Sequence, residues 1–327
     1  MNLDDLNRFK ELDSENRLGE IDSLPDALLS EWKTCAAELR ASFSGVANIV
    51  IAASGEAAQA AELAAACAPL PVPLKIVSGG ALPAFAKGAS TLTVCMGDEE
   101  ETRQAFDSAL KNGCAVFVIS CGGLEQLANE KNLPRWKAAR AALPHSFAAL
   151  MALFRRLNFI PDLSAQVEEA ASAMKDSQAH LRAEVLAASN PAKRYAGQLV
   201  GRWATIVCAE SLAPAARRWK ANINRMAKAP ANVEILPEAN YHAAQAVWNP
   251  AELLNAHTMT LFLRAPLQSP REMMRSDMMR QNFMLEGLNT DFVDARGNSP
   301  LAQLWTLILF GDYMAYYLAM AYGVGQA

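Results

Sequence analysis

Four short apolar runs alternate with helix-like segments in the first half of the chain. The runs are residues 47–53, 74–77, 91–96 and 115–120. Continuous apolar runs of this length are typical of strands that are buried on both faces of a parallel sheet. Because a helical crossover follows most of them, the pattern predicts a doubly wound sheet with helices on both faces. An α/β fold is therefore the first constraint on this chain.

The alternation returns in the second half, after a helical connector at about residues 145–190. Further strands are predicted at 204–208, 233–236, 259–263 and near 290–293, with helices at about 211–228 and 239–247. A chain of 327 residues also suits two domains. We therefore predict two tandem, diverged copies of one three-layer αβα fold. The domains are placed at 1–155, which includes a helical N-terminal extension, and at 156–327.

Charge and cysteine usage exclude several classes of protein. The formal net charge is −4 and basic residues form no dense block, so we expect no nucleic-acid partner. The six cysteines form no C-x-x-C pair and the four histidines show no zinc spacing, so we expect reduced thiols and no metal. The polar, acidic N-terminus is not a secretory signal. We expect a cytoplasmic protein.

The C-terminal segment 304–325 is long and apolar enough to imitate a membrane span. It contains one charged residue, Asp312. Its tyrosines are spread along it and no basic anchor flanks it, in contrast to the usual pattern of spanning helices. The sequence therefore predicts a buried terminal helix and no membrane partner.

Standard nucleotide and hydrolase motifs are absent. The chain contains no G-x-G-x-x-G, no G-x-x-x-x-G-K-[ST] and no G-x-S-x-G. We therefore expect no cofactor. In open parallel sheets, ligands bind at the carboxyl ends of the strands. The loops at these ends are residues 53–56, 96–101, 120–123, 209–213 and 237–242.

Segments of the second half are similar to those of one known family. Residues 218–230 read RWKANINRMAKAP, residues 236–242 read LPEANYH, and the tail contains Gly297–Ala302 and Gly311-Asp312. The chain resembles the bifunctional phosphoglucose/phosphomannose isomerases, which are two-domain proteins of the sugar isomerase (SIS) fold. In that family the second segment contains Pro-Glu-Leu-Asn-His-Asn.

Three loops of the first half extend the resemblance. Residues 52–55 look like the family's Gly-Gly-Ser-Ala loop, residues 96–102 like Ser-Gly-Asn-Thr-Glu-Glu-Thr, and residues 119–123 like Ile-Ser-Ser-Gly-Gly. The resemblance therefore covers nearly the whole chain in order. It implies a homodimer that binds a sugar phosphate or other carbohydrate derivative in a cleft between its domains, near the dimer interface.

The resemblance also implies an aldose–ketose isomerase, but the positions that carry the chemistry are substituted. The family's base, a glutamate, falls on Arg225, and its ring-opening histidine falls on Tyr241. A guanidinium is always protonated near neutral pH and is no general base. A phenol with a pKa near ~10 is a poor substitute for an imidazole. His242 lies one residue beyond the ring-opening position.

The phosphate loop is altered as well. The family's serine, asparagine and threonine fall on Met96, Asp98 and Glu99, while Thr102 matches the family. A like-charge contact at 4 Å costs about 4 kcal/mol near a protein surface. A charge-assisted hydrogen bond returns about 1.5–3 kcal/mol, so phosphate binding should be weak. In a simpler interpretation, Asp98 is an N-cap and Glu99 complements a helix dipole. The candidate ligand-binding residues are Ser54, Gly55, Met96, Gly97, Asp98, Glu99, Thr102 and His145. His145 stands where the family has an arginine on the phosphate side of its site.

Three hypotheses follow from these residues. The first is a binding protein for a carbohydrate derivative in which isomerase activity is lost or reduced. The second is an active glucose-6-phosphate/mannose-6-phosphate isomerase with a rearranged site, in which Glu238 or Glu210 is the base and His242 opens the ring. The third is a non-catalytic structural or regulatory partner in sugar metabolism. The candidate catalytic residues are therefore Arg225, Tyr241, His242 and Glu238.

Overall fold

The computed structural model describes residues 2–140 and 142–326 and contains two parallel sheets. The strands are β1 (Asn48–Ala53), β2 (Leu74–Val77), β3 (Thr91–Met96), β4 (Ala115–Ser120), β5 (Arg135–Lys137), β6 (Trp203–Ala209), β7 (Ala231–Leu236), β8 (Thr258–Arg264) and β9 (Thr290–Asp294). The helices are α1 (Leu6–Leu12), α2 (Arg17–Asp22), α3 (Leu24–Glu38), α4 (Gly55–Cys67), α5 (Glu100–Lys111), α6 (Gly123–Glu130), α7 (Leu143–Arg156), α8 (Ser164–Leu181), α9 (Pro191–Leu199), α10 (Ala213–Met226), α11 (Ala251–His257), α12 (Pro270–Leu285) and α13 (Pro300–Tyr322).

The chain divides into two compact units, each with one sheet. Residues 26–167 form the first-sheet unit, and the residues up to Pro25 together with those from Glu168 onward form the second-sheet unit. The predicted fold class, two tandem αβα domains with doubly wound parallel sheets, is confirmed. The predicted sequence domains, 1–155 and 156–327, have other limits than these units and stay a prediction.

The first sheet has the strand order β2-β1-β3-β4-β5, and all neighbours are parallel. Four of its strands lie where the apolar runs predict them. One face packs against α5 and α6 through a core that includes Val50, Cys95, Phe106 and Leu124. The fifth strand, Arg-Trp-Lys, is too short and polar to be read from the sequence.

The second sheet has the order β7-β6-β8-β9, again parallel throughout. Helix α12 covers one face, and α9 and α10 contact strands on the other. Helix α13 packs on α9 and α10, and α2 packs on α13 in turn. No prediction covers α12, although Ser269 and Glu272 form a capping box at its start.

The predicted helix at 239–247 is wrong. Two short 3₁₀ helices, Glu238–Tyr241 and Ala243–Gln245, take its place. Their bonds join residues three apart, Asn240 N–H to the Pro237 carbonyl and Gln245 N–H to the His242 carbonyl. Because His242 between them has a non-helical backbone (φ −132°, ψ −59°), the segment cannot continue as one helix.

Helix α13 is the apolar segment near the C-terminus. It is long and apolar enough to cross a membrane by composition, yet 89% of its most apolar window is buried inside the protein. Phe9 of α1 packs edge-on against Tyr316, and the Tyr313 hydroxyl contacts Asp22 at the end of α2. This agrees with the prediction of a buried terminal helix.

Candidate functional site

The loop after β1 carries Ser54 and Gly55. Ser54 is the half-buried N-cap residue of α4, and its hydroxyl makes no capping hydrogen bond. Gly55 is exposed and has a positive φ of 55°. Next to them, the Glu56 carboxylate accepts a hydrogen bond from Leu143 N–H at the start of α7, at 3.2 Å. The hydroxyl of Ser54 is thus a donor that this loop can offer to a ligand.

Asp98 joins the loops that follow β3 and β4. Its carboxylate accepts hydrogen bonds from the Ser120 hydroxyl at 2.6 Å and from Leu124 N–H at 2.7 Å. Arg103 Nη2 lies 3.7 Å from the same carboxylate, and Arg103 Nε donates to the Asp98 carbonyl. Asp98 therefore caps α6 from a neighbouring loop, and not α5, whose N-cap residue is Glu99.

Glu99 extends over the turn at Gly97. Gly97 has a φ of 97°, and a Cβ placed on it would meet the Glu99 carboxylate. Glu99 makes no capping hydrogen bond with its side chain, and Glu99, Glu100 and Glu101 are all exposed at the start of α5. Their charge complements the dipole at this helix N-terminus. The same charge lies beside the loop that was predicted, from the resemblance, to bind phosphate.

Three further ligand-binding candidates of this unit are buried. Met96 ends β3 and is completely covered. The Thr102 hydroxyl is buried and has no hydrogen-bond partner among the described residues. His145 is 6% exposed, with Nε2 3.2 Å from Glu31 of α3. Burial lowers the pKa of His145, while the charge of Glu31 opposes the shift. These side chains are held inside the unit.

Arg225 lies in the last turn of α10 and is exposed. Its Nη2 donates to the Oδ1 of Asn222 at 3.2 Å. Asn222 Nδ2 in turn donates to Asp312 Oδ1 at 2.7 Å. The Asp312 carboxylate of α13 also binds the Arg218 guanidinium at 2.7 Å, and this pair is buried. A chain of hydrogen bonds thus connects Arg225 at the surface to a buried ion pair.

The segment after β7 holds the remaining catalytic candidates. Tyr241 is 79% exposed, and Glu238 is also exposed at the start of the same 3₁₀ helix. The His242 Nδ1 lies 3.6 Å from Glu234 of β7. Glu210, the alternative base, is exposed directly after β6. Within the second-sheet unit, the imidazole of His242 therefore faces the carboxylate of Glu234 on the preceding strand, β7.

Several residues that hold Asp98 and Arg225 in place are not among the predicted site residues. Ser120 and Arg103 hold Asp98, and Asn222 and Asp312 hold Arg225. The sequence could have indicated Asp312, because a single charged residue in an apolar helix needs a buried partner. Across 2–140 and 142–326, no group of three or more His, Cys, Asp or Glu side chains is arranged to hold a metal ion.

The sequence of this chain is similar to those of known proteins. Residues 188–325 match the family model of the bacterial phospho-glucose isomerase C-terminal SIS domain. A bifunctional phosphoglucose/phosphomannose isomerase of Caldicellulosiruptor bescii is 28% identical over 263 residues, which covers 77% of this chain and 76% of the relative. The corresponding enzyme of Aquifex aeolicus is 26% identical over 255 residues, with 77% and 76% covered.

Solved structures show the same fold. The C-terminal domain of glucosamine-fructose-6-phosphate aminotransferase from Francisella tularensis superimposes with a TM-score of 0.74 at 14% identity, covering 95% of this chain and 98% of that one. The fold is that of SIS sugar isomerase domains, and the family model places one such domain in the second half of the chain. Over about three quarters of its length, the chain is similar in sequence to bifunctional phosphoglucose/phosphomannose isomerases.

Proposed function

We propose that this protein binds a carbohydrate derivative of the sugar-phosphate class and that its aldose–ketose isomerase activity is lost or strongly reduced. The relatives are named as phosphoglucose/phosphomannose isomerases, which supports the ligand class. The proposal places the protein in the cytoplasm, as a homodimer without metal or cofactor.

The observation that carries the proposal is the Arg225 guanidinium at the position of the family's base. A base must accept a proton to move it between C1 and C2 of the sugar, and a guanidinium is already protonated. Its hydrogen bond to Asn222 fixes a positive charge at the end of α10. Such a charge suits the binding of an anionic ligand group, since arginine is a strong partner of phosphate and carboxylate.

Residues of the first-sheet unit support the expectation that phosphate binds only weakly. The carboxylate of Asp98 already accepts from Ser120 and Leu124, which are donors that an anion at this loop could use. Exposed Glu99 adds negative charge over Gly97. A repulsion of about 4 kcal/mol per close contact at a protein surface exceeds the roughly 1.5–3 kcal/mol of one charge-assisted hydrogen bond. An intact phosphate cradle is therefore not expected.

The test is incubation of concentrated purified protein with fructose 6-phosphate, followed by detection of glucose 6-phosphate and mannose 6-phosphate. We expect turnover near background together with saturable binding of the sugar phosphate by calorimetry. Turnover well above background would overturn the proposal. Absence of saturable binding would instead favour a structural or regulatory partner of another enzyme, which should then copurify with the protein.

A rearranged active isomerase is the second candidate. The observation that favours it is the segment after β7, where exposed Glu238 and His242 lie four residues apart. If Glu238 were the base, Glu238→Gln would abolish turnover while Glu252→Gln, an exposed control on α11, would not. Unchanged activity in Glu238→Gln would eliminate that assignment and leave Glu210 to be tested in the same way.

The homodimer is supported by apolar side chains on the outer side of α12. Met274, Met278 and Leu285 are exposed there at helical spacing. A stripe of this kind is typical of surfaces that a protein partner covers. Sedimentation of the native chain should give the mass of a dimer, and Met278→Glu should shift it toward the monomer. A monomeric native chain would contradict this part of the proposal.

A further inference from the structure

A row of polar side chains crosses one face of the second sheet. Asn232, Thr205, Thr260 and Thr290 are neighbours in register on β7, β6, β8 and β9. Two residues further along, the same face carries Glu234, Val207, Phe262 and Phe292. Strands of a parallel sheet are normally apolar where helices cover them. The polar row therefore marks the amino-terminal half of this face as something other than core.

A cavity of about 750 Å³ opens over this row. The carboxyl half of the face is filled by a core cluster of Val207, Phe262 and Phe283. The amino half is left open beneath α11 and the 3₁₀ helices. This volume lies in the range of small-molecule sites, roughly 300–1,000 Å³. The lining combines a polar floor of Thr205, Asn232, Glu234 and Thr260 with apolar walls that include Leu253, Leu254, Phe283 and Leu288.

Two hydroxyls of the floor have no partner of their own. Thr260 is 3% exposed, and within the described part of the chain neither its hydroxyl nor that of Thr205 forms a hydrogen bond. The Glu234 carboxylate has His242 Nδ1 at 3.6 Å, which is too long for a hydrogen bond. Unpaired polar groups at a covered surface are costly unless water or a ligand satisfies them.

We propose that this cavity binds a neutral molecule in which an apolar ring system carries vicinal hydroxyls, such as a nucleoside or an aryl glycoside. A carboxylate accepts hydrogen bonds from adjacent hydroxyls, so the diol faces Glu234 and Asn232. The ring system lies against Leu253, Leu254 and Phe283, where it replaces water on apolar surface. Glu234 disfavours an anionic group beside it at the floor. The lining also includes Arg202 and His242, and His242 is a candidate residue of the sugar-phosphate site proposed above. The diol site differs from that site in the chemistry of its floor.

The experiment is calorimetric titration of the full chain with adenosine and, separately, with phenyl β-D-glucoside. The matched controls keep the ring systems but lack the vicinal hydroxyls: 2′,3′-dideoxyadenosine and 2-phenoxytetrahydropyran. We expect saturable binding of at least one diol and binding at least about tenfold weaker for its control. Whichever of the two probes binds shows whether the diol belongs to a nucleoside or to an aryl glycoside. No saturable binding of either diol, or equal binding of diol and control, would overturn the proposal.

Two variants locate the binding, and two further variants are controls. Thr260→Val keeps the shape of a β-branched side chain and removes the hydroxyl, and Glu234→Gln removes the charged acceptor. Each should weaken the diol about tenfold, while Glu252→Gln on α11 should not. Arg225→Ala should also leave this binding unchanged, which separates it from the proposed function. Unchanged affinity in both Thr260→Val and Glu234→Gln would overturn the assignment to this cavity.

Discussion

The Arg225 guanidinium donates a hydrogen bond to Asn222 Oδ1 at 3.2 Å, and Asn222 is itself held by the buried carboxylate of Asp312 at 2.7 Å. This arrangement gives Arg225, which the resemblance aligns with the family's base, a fixed place on α10. It also connects the proposed anion-binding residue to the ion pair that joins α10 and α13.

The first prediction concerns the anion-binding role of Arg225. Arg225→Ala should raise the dissociation constant for fructose 6-phosphate about tenfold, because one charge-assisted hydrogen bond is lost. Stability should change little, since the side chain is exposed. Lys220→Ala, an exposed cation on the same helix, is the control and should bind as the native chain does. Equal affinity of both variants would argue against the role of Arg225.

The second prediction concerns the buried ion pair. Asp312→Asn removes the carboxylate charge that pairs with buried Arg218 and should lower the free energy of unfolding by about 3–5 kcal/mol. Asp294→Asn breaks the exposed pair with Arg264 and should cost less than about 1 kcal/mol. Urea unfolding of both variants measures the difference. Similar small losses would mean that the pair does not stabilise the contact of α10 with α13.

The third prediction concerns the contact of Asp98 with Gly122. A Cβ on Gly122 would lie 2.6 Å from Asp98 Oδ2, so a side chain there requires the hydrogen-bonded carboxylate of Asp98 to move. Gly122→Ala should therefore destabilise the protein by about 1–3 kcal/mol. In the Asp98→Ala background the same change should cost at least about 1 kcal/mol less. Strict additivity of the two unfolding free energies would contradict this account.

The fourth prediction is a pH dependence at His145. Burial lowers the pKa of this imidazole in the folded chain below its ordinary value of 6.5, against the opposing charge of Glu31. Because the unfolded chain then binds more protons, the free energy of unfolding should decrease as the pH falls below 6.5. His145→Gln should reduce this dependence in urea unfolding between about pH 5 and pH 8. An unchanged slope would contradict the assignment.

Most of the fold could be predicted from the sequence because parallel strands are continuous apolar runs. Strands β1 to β4 and β6 to β9 lie within about two residues of their predicted positions. The segment 239–247 could not be predicted, because its composition suits a helix and only the backbone at His242 interrupts it. Strand β5 has no apolar run to reveal it.

Less of the candidate site could be predicted. The resemblance identifies Arg225 and Tyr241 as substitutions, yet it does not reveal that Asn222 and Asp312 hold Arg225. Asp98 caps a helix, as predicted, but not the helix that directly follows it in sequence. Its carboxylate accepts a hydrogen bond from Leu124 N–H in α6. Contacts between side chains distant in sequence, such as these, depend on the tertiary structure and have no local pattern.

The central claim is that no group at the family's base position can remove a proton from the sugar. The most direct test is exchange of the C1 proton of fructose 6-phosphate in D₂O, followed by proton NMR, because it requires the base and no later step. We predict that exchange with the native protein equals that of the protein-free control. Exchange that is faster than this control and proportional to protein concentration would contradict the account.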